Sequence, residues 1–197
     1  MDFTALSPDP FLQFSLWYED ALKNDQLRFP NSMVLATADA QGQPSARVIL
    51  LKDFNQAGFT FFTNYESQKG EDLWYNPKAA LCFYWDALRR QLRIQGTVTK
   101  VSAQESSDYF HSRPRESQIG AWASLQSREI DSRMDMEQKF ADVDKKYPGE
   151  IPRPDYWGGY RLKPVSFEFW QERPHRLHDR AFYELNHGQW TQKRLSP

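Results

Sequence analysis

The chain reads as a mainly β fold, a β-barrel with added helices, and three observations predict it. Between Ser32 and Val101, short apolar or β-branched runs follow one another closely, broken by turn residues. A long aromatic strand pattern, Tyr160–Gln171, returns near the carboxyl end, and Asn186-His187-Gly188 then separates two further runs as a hairpin turn. Helical stretches are few: one at the start of the chain, a short one among the strands, and a group after the first set of strands. With 197 residues, 40% hydrophobic and 15% aromatic, the chain is long enough to bury a sizeable core as one domain, 1–197.

Each element has a local reason. Asp9 is placed to cap a helix with Pro10 at its first position, and Phe11, Phe14, Trp17, Ala21 and Leu22 recur at helical spacing to about Lys23. Ser32–Asp39 and Ser45–Phe54 form a hairpin across Ala40–Pro44, and Asn55–Gly58 turns the chain into the strand Phe59–Thr63. A short helix at Ser67–Tyr75 precedes the strands Ala79–Trp85 and Gln91–Val101. Helices are expected at Ala103–His111, Pro114–Ala123 and Ser132–Lys146, the last ended by Tyr147-Pro148-Gly149. Arg180–Leu185 and Gln189–Arg194 make the closing hairpin, and Met1–Pro8 reads as a flexible amino-terminal stretch.

Composition excludes several classes. Twenty-five basic and 26 acidic residues give a net charge of −1, so no global field draws nucleic acid or an anionic membrane. No apolar run approaches the roughly 20 residues of a membrane span. The single cysteine, Cys82, lies in an apolar run and reads as a buried thiol; it forms no internal disulfide, which suits a reducing compartment. Met1–Pro10 lacks the basic and apolar regions of a signal peptide, so a soluble cytoplasmic protein is expected. There is no glycine-rich dinucleotide fingerprint, P-loop, Cys-x-x-Cys pair or nucleophile elbow. His175 and His178 have no third ligand associated with them, so no metal is expected.

What remains is a set of basic and hydroxyl residues at element boundaries. Arg47 lies inside an apolar strand and Lys52 at its end; in a regular strand their odd separation puts them on opposite faces unless a bulge intervenes. The alternative reading of Arg47 is an exposed face of an edge strand. Tyr109 and Arg113 lie one helical turn apart, and Pro114 after Arg113 starts a new helix. The free N–H groups of that first turn, with Arg113 and Ser117 beside them, would suit a phosphate; a capped helix with a solvated arginine pair is the alternative. Arg176, His178 and Arg180 share one face if extended, which is either a ligand-facing row or a solvated one.

Taken together and in order, Arg47–Lys52, Phe62–Gly70, Tyr109–Trp122, Gln126-Ser127, Tyr156–Arg161 and Phe169–Gln171 leading into His175–Arg180 resemble the pyridoxine/pyridoxamine 5'-phosphate oxidase family. The similarity runs from about Asp9 to Pro197 without a large gap. It implies an FMN-binding split β-barrel that works as a homodimer, with two flavin sites at the subunit interface. It also implies oxidation of pyridoxine or pyridoxamine 5'-phosphate to pyridoxal 5'-phosphate, with O2 as acceptor and H2O2 as by-product. By the same resemblance Arg47 and Lys69 hold the FMN phosphate. Val48, Ile49, Leu50, Lys52, Phe62, Thr63, Gln68, Gln91, Gln126, Ser127, Trp170 and Arg180 line the rest of the flavin site. Lys52, Tyr109, Arg113 and Ser117 take the substrate phosphate, and Arg176 and His178, the implied catalytic pair, lie against the pyridine ring.

Two departures from the family pattern stand out. Position 68 is Gln where the family has an arginine before the lysine, and Met1–Pro8 lacks the Arg-x-x-Tyr segment that some members close over substrate. A non-catalytic flavin or pyridoxal-phosphate carrier on the same barrel would lose the residues implied for substrate. A split-barrel flavin reductase or deazaflavin-dependent enzyme would lack the stretch around Arg113.

Overall fold

The computed structural model describes Met1, Phe3 and residues 5–197; Asp2 and Thr4, within the stretch expected to be flexible, lie outside the described residues. A curled sheet contains β1 (Ser32–Ala38), β2 (Pro44–Leu50), β3 (Asp53–Asn55), β4 (Gly58–Asn64), β5 (Lys78–Trp85), β6 (Arg90–Lys100), β7 (Trp157–Gln171), β8 (Asp179–Asn186) and β9 (Gln189–Leu195). All these pairings are antiparallel, in the order β2-β1-β5-β6-β7-β4-β3, with β8 on β7 and β9 on β8. The split comes from β7. Along one edge it pairs with β6, while its other edge takes β4 over Trp157–Leu162 and then β8 over Ser166–Gln171. Pro164, which has no N–H for a ladder, sits opposite Gly96 at a register shift in β6, where such a residue is tolerated.

Helix α1 (Pro10–Leu22) fills the concave side. Asp9 accepts from the Phe11 N–H at 2.8 Å, and Phe11, Phe14, Trp17 and Ala21 pack onto Phe59, Phe83, Phe167 and Phe169 of the sheet. Met33, Leu35 and Thr37 of β1 alternate inward, as the period of two requires. A second apolar cluster, built on Phe110, Ile119, Ile151 and Trp157, seats α3 (Ala103–Ser112), α4 (Arg115–Ala123) and α5 (Arg133–Lys146) at one end of the sheet. Short α2 (Gln68–Tyr75) crosses beside β1. None of the described helices is long and apolar enough to cross a membrane.

Four details differ from the expectations. The hairpin strand does not run to Phe54: β2 ends at Leu50, where the Leu51 N–H turns to the Asn31 carbonyl and the Lys52 N–H to Thr60. β7 begins at Trp157, ahead of Tyr160. Cys82 is half-buried on the outer sheet face, since its neighbours Leu81 and Phe83 take the inward positions. Arg176, His178 and Arg180 do not form an extended row, because residues 174–176 make a tight turn with His175 at φ 59° and Arg176 at φ 62°. Within Met1–Pro8, the residues Met1, Phe3 and Leu6 pack against the main core, and Tyr183 Oη donates to the Ser7 carbonyl at 2.7 Å.

Candidate active site

β2 is a terminal strand, so among the described residues its second edge has no strand partner and its backbone groups from Ser45 to Leu50 face a cleft. Arg47 projects from this strand toward α2. Its Nη1 donates to Thr37 Oγ1 at 2.6 Å and to the Leu35 carbonyl at 3.3 Å, and its Nη2 donates to Ser45 Oγ at 2.7 Å. The Asp72 carboxylate stands 3.7 Å from Nη2. Burial pulls the Arg47 guanidinium below its ordinary pKa, and Asp72 opposes that shift.

Lys69, only 8% exposed, comes from the first turn of α2. This helix can fold back so closely because position 70 is glycine; a Cβ there would lie 2.0 Å from the Tyr65 carbonyl oxygen. Lys69 Nζ donates to Gln126 Oε1 at 2.8 Å, Ser67 Oγ at 3.1 Å and Thr63 Oγ1 at 3.2 Å. Burial first, and repulsion from Arg47 second, lower its pKa to about 8 against the opposing pull of Asp72. Ser127 takes φ 70° in the loop that brings Gln126 over the lysine.

A further set of residues brings another cation into the same cleft. Phe62, Tyr109 and Trp157 stack, with centroids 3.9 Å apart for Phe62 and Tyr109 and 5.7 Å for Phe62 and Trp157. Arg113 closes α3 with ψ 150°, the conformation that the following proline favours, and its guanidinium lies 4.5 Å from the Trp157 ring centroid. Arg113 Nη1 is the one buried side-chain polar atom without a hydrogen-bond partner among the described residues. Lys52 Nζ lies 5.8 Å from the Tyr109 ring centroid. The Ser117 N–H is already bonded to the Pro114 carbonyl, so the free first-turn N–H groups of α4 reduce to Arg115 and Glu116, and Ser117 reaches the cleft without its amide.

Arg47, Lys69, Lys52 and Arg113 open into one cleft of about 890 Å³. Arg47, Val48, Ile49, Leu50, Lys52, Phe62, Thr63, Gln68, Lys69, Tyr109, Arg113, Ser117, Gln126 and Ser127 line it together. The opposite-faces difficulty for Arg47 and Lys52 disappears because the strand has ended before Lys52. Gln91, Trp170, Arg176, His178 and Arg180 do not line the cleft. Instead Gln91, Trp170 and Arg180 lie in register across β6, β7 and β8, with β1 and β5 between them and β2. Arg180 Nε donates to Glu168 Oε1 at 2.8 Å, His178 packs on Trp170 with centroids 4.7 Å apart, and the Arg173 N–H donates to His178 Nδ1 at 3.2 Å. Arg176 is exposed.

Residues 20–147 match the family model described as pyridoxamine 5'-phosphate oxidase, and residues 157–197 match the pyridoxine 5'-phosphate oxidase C-terminal dimerisation region. The chain belongs to the pyridoxine/pyridoxamine 5'-phosphate oxidase family. Curated relatives named pyridoxine/pyridoxamine 5'-phosphate oxidase include one from Paraburkholderia phymatum, 53% identical over 100% of this chain and 93% of its own. Another, from Salinibacter ruber, is 52% identical over 98% of this chain and 91% of its own. Among solved structures, PhzG from Burkholderia lata 383 in complex with tetrahydrophenazine-1-carboxylic acid aligns with a TM-score of 0.92 at 29% identity, covering 100% of this chain and 96% of its own. A pyridoxamine 5'-phosphate oxidase-related, FMN binding protein from Nostoc punctiforme shares the fold at a TM-score of 0.77 and 20% identity, over 98% and 100% of the two chains.

Two residues that support the site carry no clear signal of their own in the sequence. Trp157, which carries Arg113, stood only inside a resembling stretch, although a tryptophan beside two glycines hints at a close-packed aromatic platform. Asp72 follows Lys69 by three positions on a helix, a spacing that places both on one face.

Proposed function

We propose that this protein is an FMN-dependent oxidase that converts pyridoxine or pyridoxamine 5'-phosphate into pyridoxal 5'-phosphate, passing electrons to O2. The observation that carries the reading is the sharing of one cleft by two separate cationic clusters, Arg47 with Lys69 and Arg113 with Lys52. Two clusters suit two phosphate groups, one on a cofactor and one on a substrate. The residues fit FMN: a half-buried arginine in the open edge strand and a buried lysine from α2 share the cleft with that strand's backbone groups, which can meet a polar ring system. The partnerless Arg113 Nη1 fits the oxygen-rich head of the second ligand.

FMN, when bound, supplies the hydride acceptor and the route to O2. The protein's own contribution is position. Arg113, Lys52, Tyr109 and Ser117 would hold the substrate phosphate and Arg47 and Lys69 the cofactor phosphate in the same cleft, which would fix the reacting carbon against the flavin. Arg176 and His178 bind and orient the pyridine ring. They do so from a second copy of the chain, since in one protomer they lie outside the cleft, with Gln91, Trp170 and Arg180. The outer sheet face bearing the exposed side chains Val48, Leu50 and Tyr84 is the surface that a second copy covers in a homodimer. The lone cysteine, Cys82, on that face suits a reducing cytoplasm.

The test is the visible spectrum of the purified protein before and after anaerobic addition of pyridoxamine 5'-phosphate. A flavin spectrum that bleaches supports the oxidase. A flavin that stays yellow fits a carrier or a reductase of another substrate, and either outcome ends this reading.

A further inference from the structure

Thr37 and Asp72 lie behind the cleft wall and do not line it, yet they are 3% and 5% exposed. The Thr37 hydroxyl donates to Asp72 Oδ2 at 2.6 Å and accepts from Arg47 Nη1 at 2.6 Å. A hydroxyl has a single proton. With that proton committed to the carboxylate, the lone pairs of Oγ1 face the arginine, and the group acts there only as an acceptor. The carboxylate itself stands 3.7 Å from Arg47 Nη2. Such a chain strengthens along its length, because each polarised bond makes the next acceptor better.

We propose that Asp72 and Thr37 form a positioning relay that holds the Arg47 guanidinium in the orientation that grips the cofactor phosphate. The proposal rests on FMN being the cofactor. Asp72 favours the charged form of Lys69, and besides that it has two opposed effects on the phosphate. Its negative charge repels the phosphate directly, but across a layer that contains Arg47 and Lys69. Through Thr37 and its ion pair it keeps Arg47 aimed. The second effect acts over hydrogen-bond distances in a buried setting and outweighs the first. A carboxylate that merely fastened α2 to β1 would act on the phosphate through Lys69, which α2 carries, so the Thr37→Val loss would persist in an Arg47→Ala background, whereas the relay predicts that it vanishes there.

The experiment compares FMN with riboflavin, which lacks the phosphate, by fluorescence quenching on the flavin-stripped full chain. Thr37→Val keeps the shape and removes the relay; it should weaken FMN about threefold or more, the scale on which neighbouring residues couple, and leave riboflavin unchanged. Thr37→Ser should restore FMN binding. Asp72→Asn should lower the FMN preference in the same direction, and the double variant Thr37→Val/Asp72→Asn should lose no more than the worse single one. The relay is overturned if Asp72→Asn leaves the preference unchanged or raises it, if the two losses multiply, or if both flavins weaken together. A wild-type chain that binds FMN no better than riboflavin removes the cofactor reading itself, and the relay falls with it.

Discussion

Replacing Arg113 with methionine separates binding from folding. The guanidinium has one buried nitrogen with no partner, an arrangement that costs about 1–3 kcal/mol in the ligand-free protein. Its place 4.5 Å from the Trp157 ring centroid returns a cation–π contribution of about 1–2 kcal/mol. Both disappear in Arg113→Met, and the thioether packs on the same indole, so stability should shift by under about 1 kcal/mol, or within roughly 4 °C in Tm. Substrate phosphate loses at least one charge-assisted hydrogen bond of about 1.5–3 kcal/mol, which is about 10- to 150-fold in kcat/KM. The assay is steady-state oxidation of pyridoxamine 5'-phosphate beside unphosphorylated pyridoxamine, with a thermal melt of the same samples. The variant should lose its preference for the phosphorylated substrate while its melting curve stays near wild type. Equal losses on both substrates, or a kcat/KM within threefold of wild type on the phosphorylated one, would refute the assignment.

Three further outcomes follow from the cofactor end of the cleft. Lys69 titrates near pH 8 in the ligand-free protein, and a bound phosphate favours its charged form, so FMN affinity should be full below that pH and fall as pH rises through it, with riboflavin affinity flat; a flat FMN titration from pH 7 to 10 would exclude this role. Gln68 lines the cleft next to Lys69, and Gln68→Arg should tighten FMN by about tenfold, one added charge-assisted contact, as read by equilibrium titration. Arg128 ties the loop of Gln126 and Ser127 to the Glu71 carboxylate and the Glu66 carbonyl of the α2 region, so Arg128→Ala should speed FMN release a few-fold, and the charge swap Arg128→Glu/Glu71→Arg should recover much of it.

The parts of this fold that were legible are those specified by neighbours in the chain. Asp9-Pro10 announces α1, and Asn186–Gly188 announces the last hairpin, because capping and turn chemistry act over a few residues. The end of β2 was not legible. Leu51 and Lys52 leave the ladder because Asn31 and Thr60 offer them partners, and nothing local in an apolar run marks that exchange. The turn at residues 174–176 was hidden for a related reason: His175 and Arg176 adopt positive φ without a glycine to signal it. In the site, Arg47 and Arg113 could be picked out as cations in improbable places, Lys69 entered only through the family resemblance, and Asp72 reads as one more helix-surface acid until Thr37 is seen to meet it.

The division of the implied site between the cleft and the β6–β8 row has a genetic corollary. Two inactive alleles, one damaged at Arg113 and the other at His178, would complement each other within a mixed pair. If the proposed sharing holds, each mixed pair would assemble one intact centre from the undamaged halves and one doubly broken centre. Co-expressing the two would then recover about a quarter of normal output by random pairing, whereas neither allele alone recovers any.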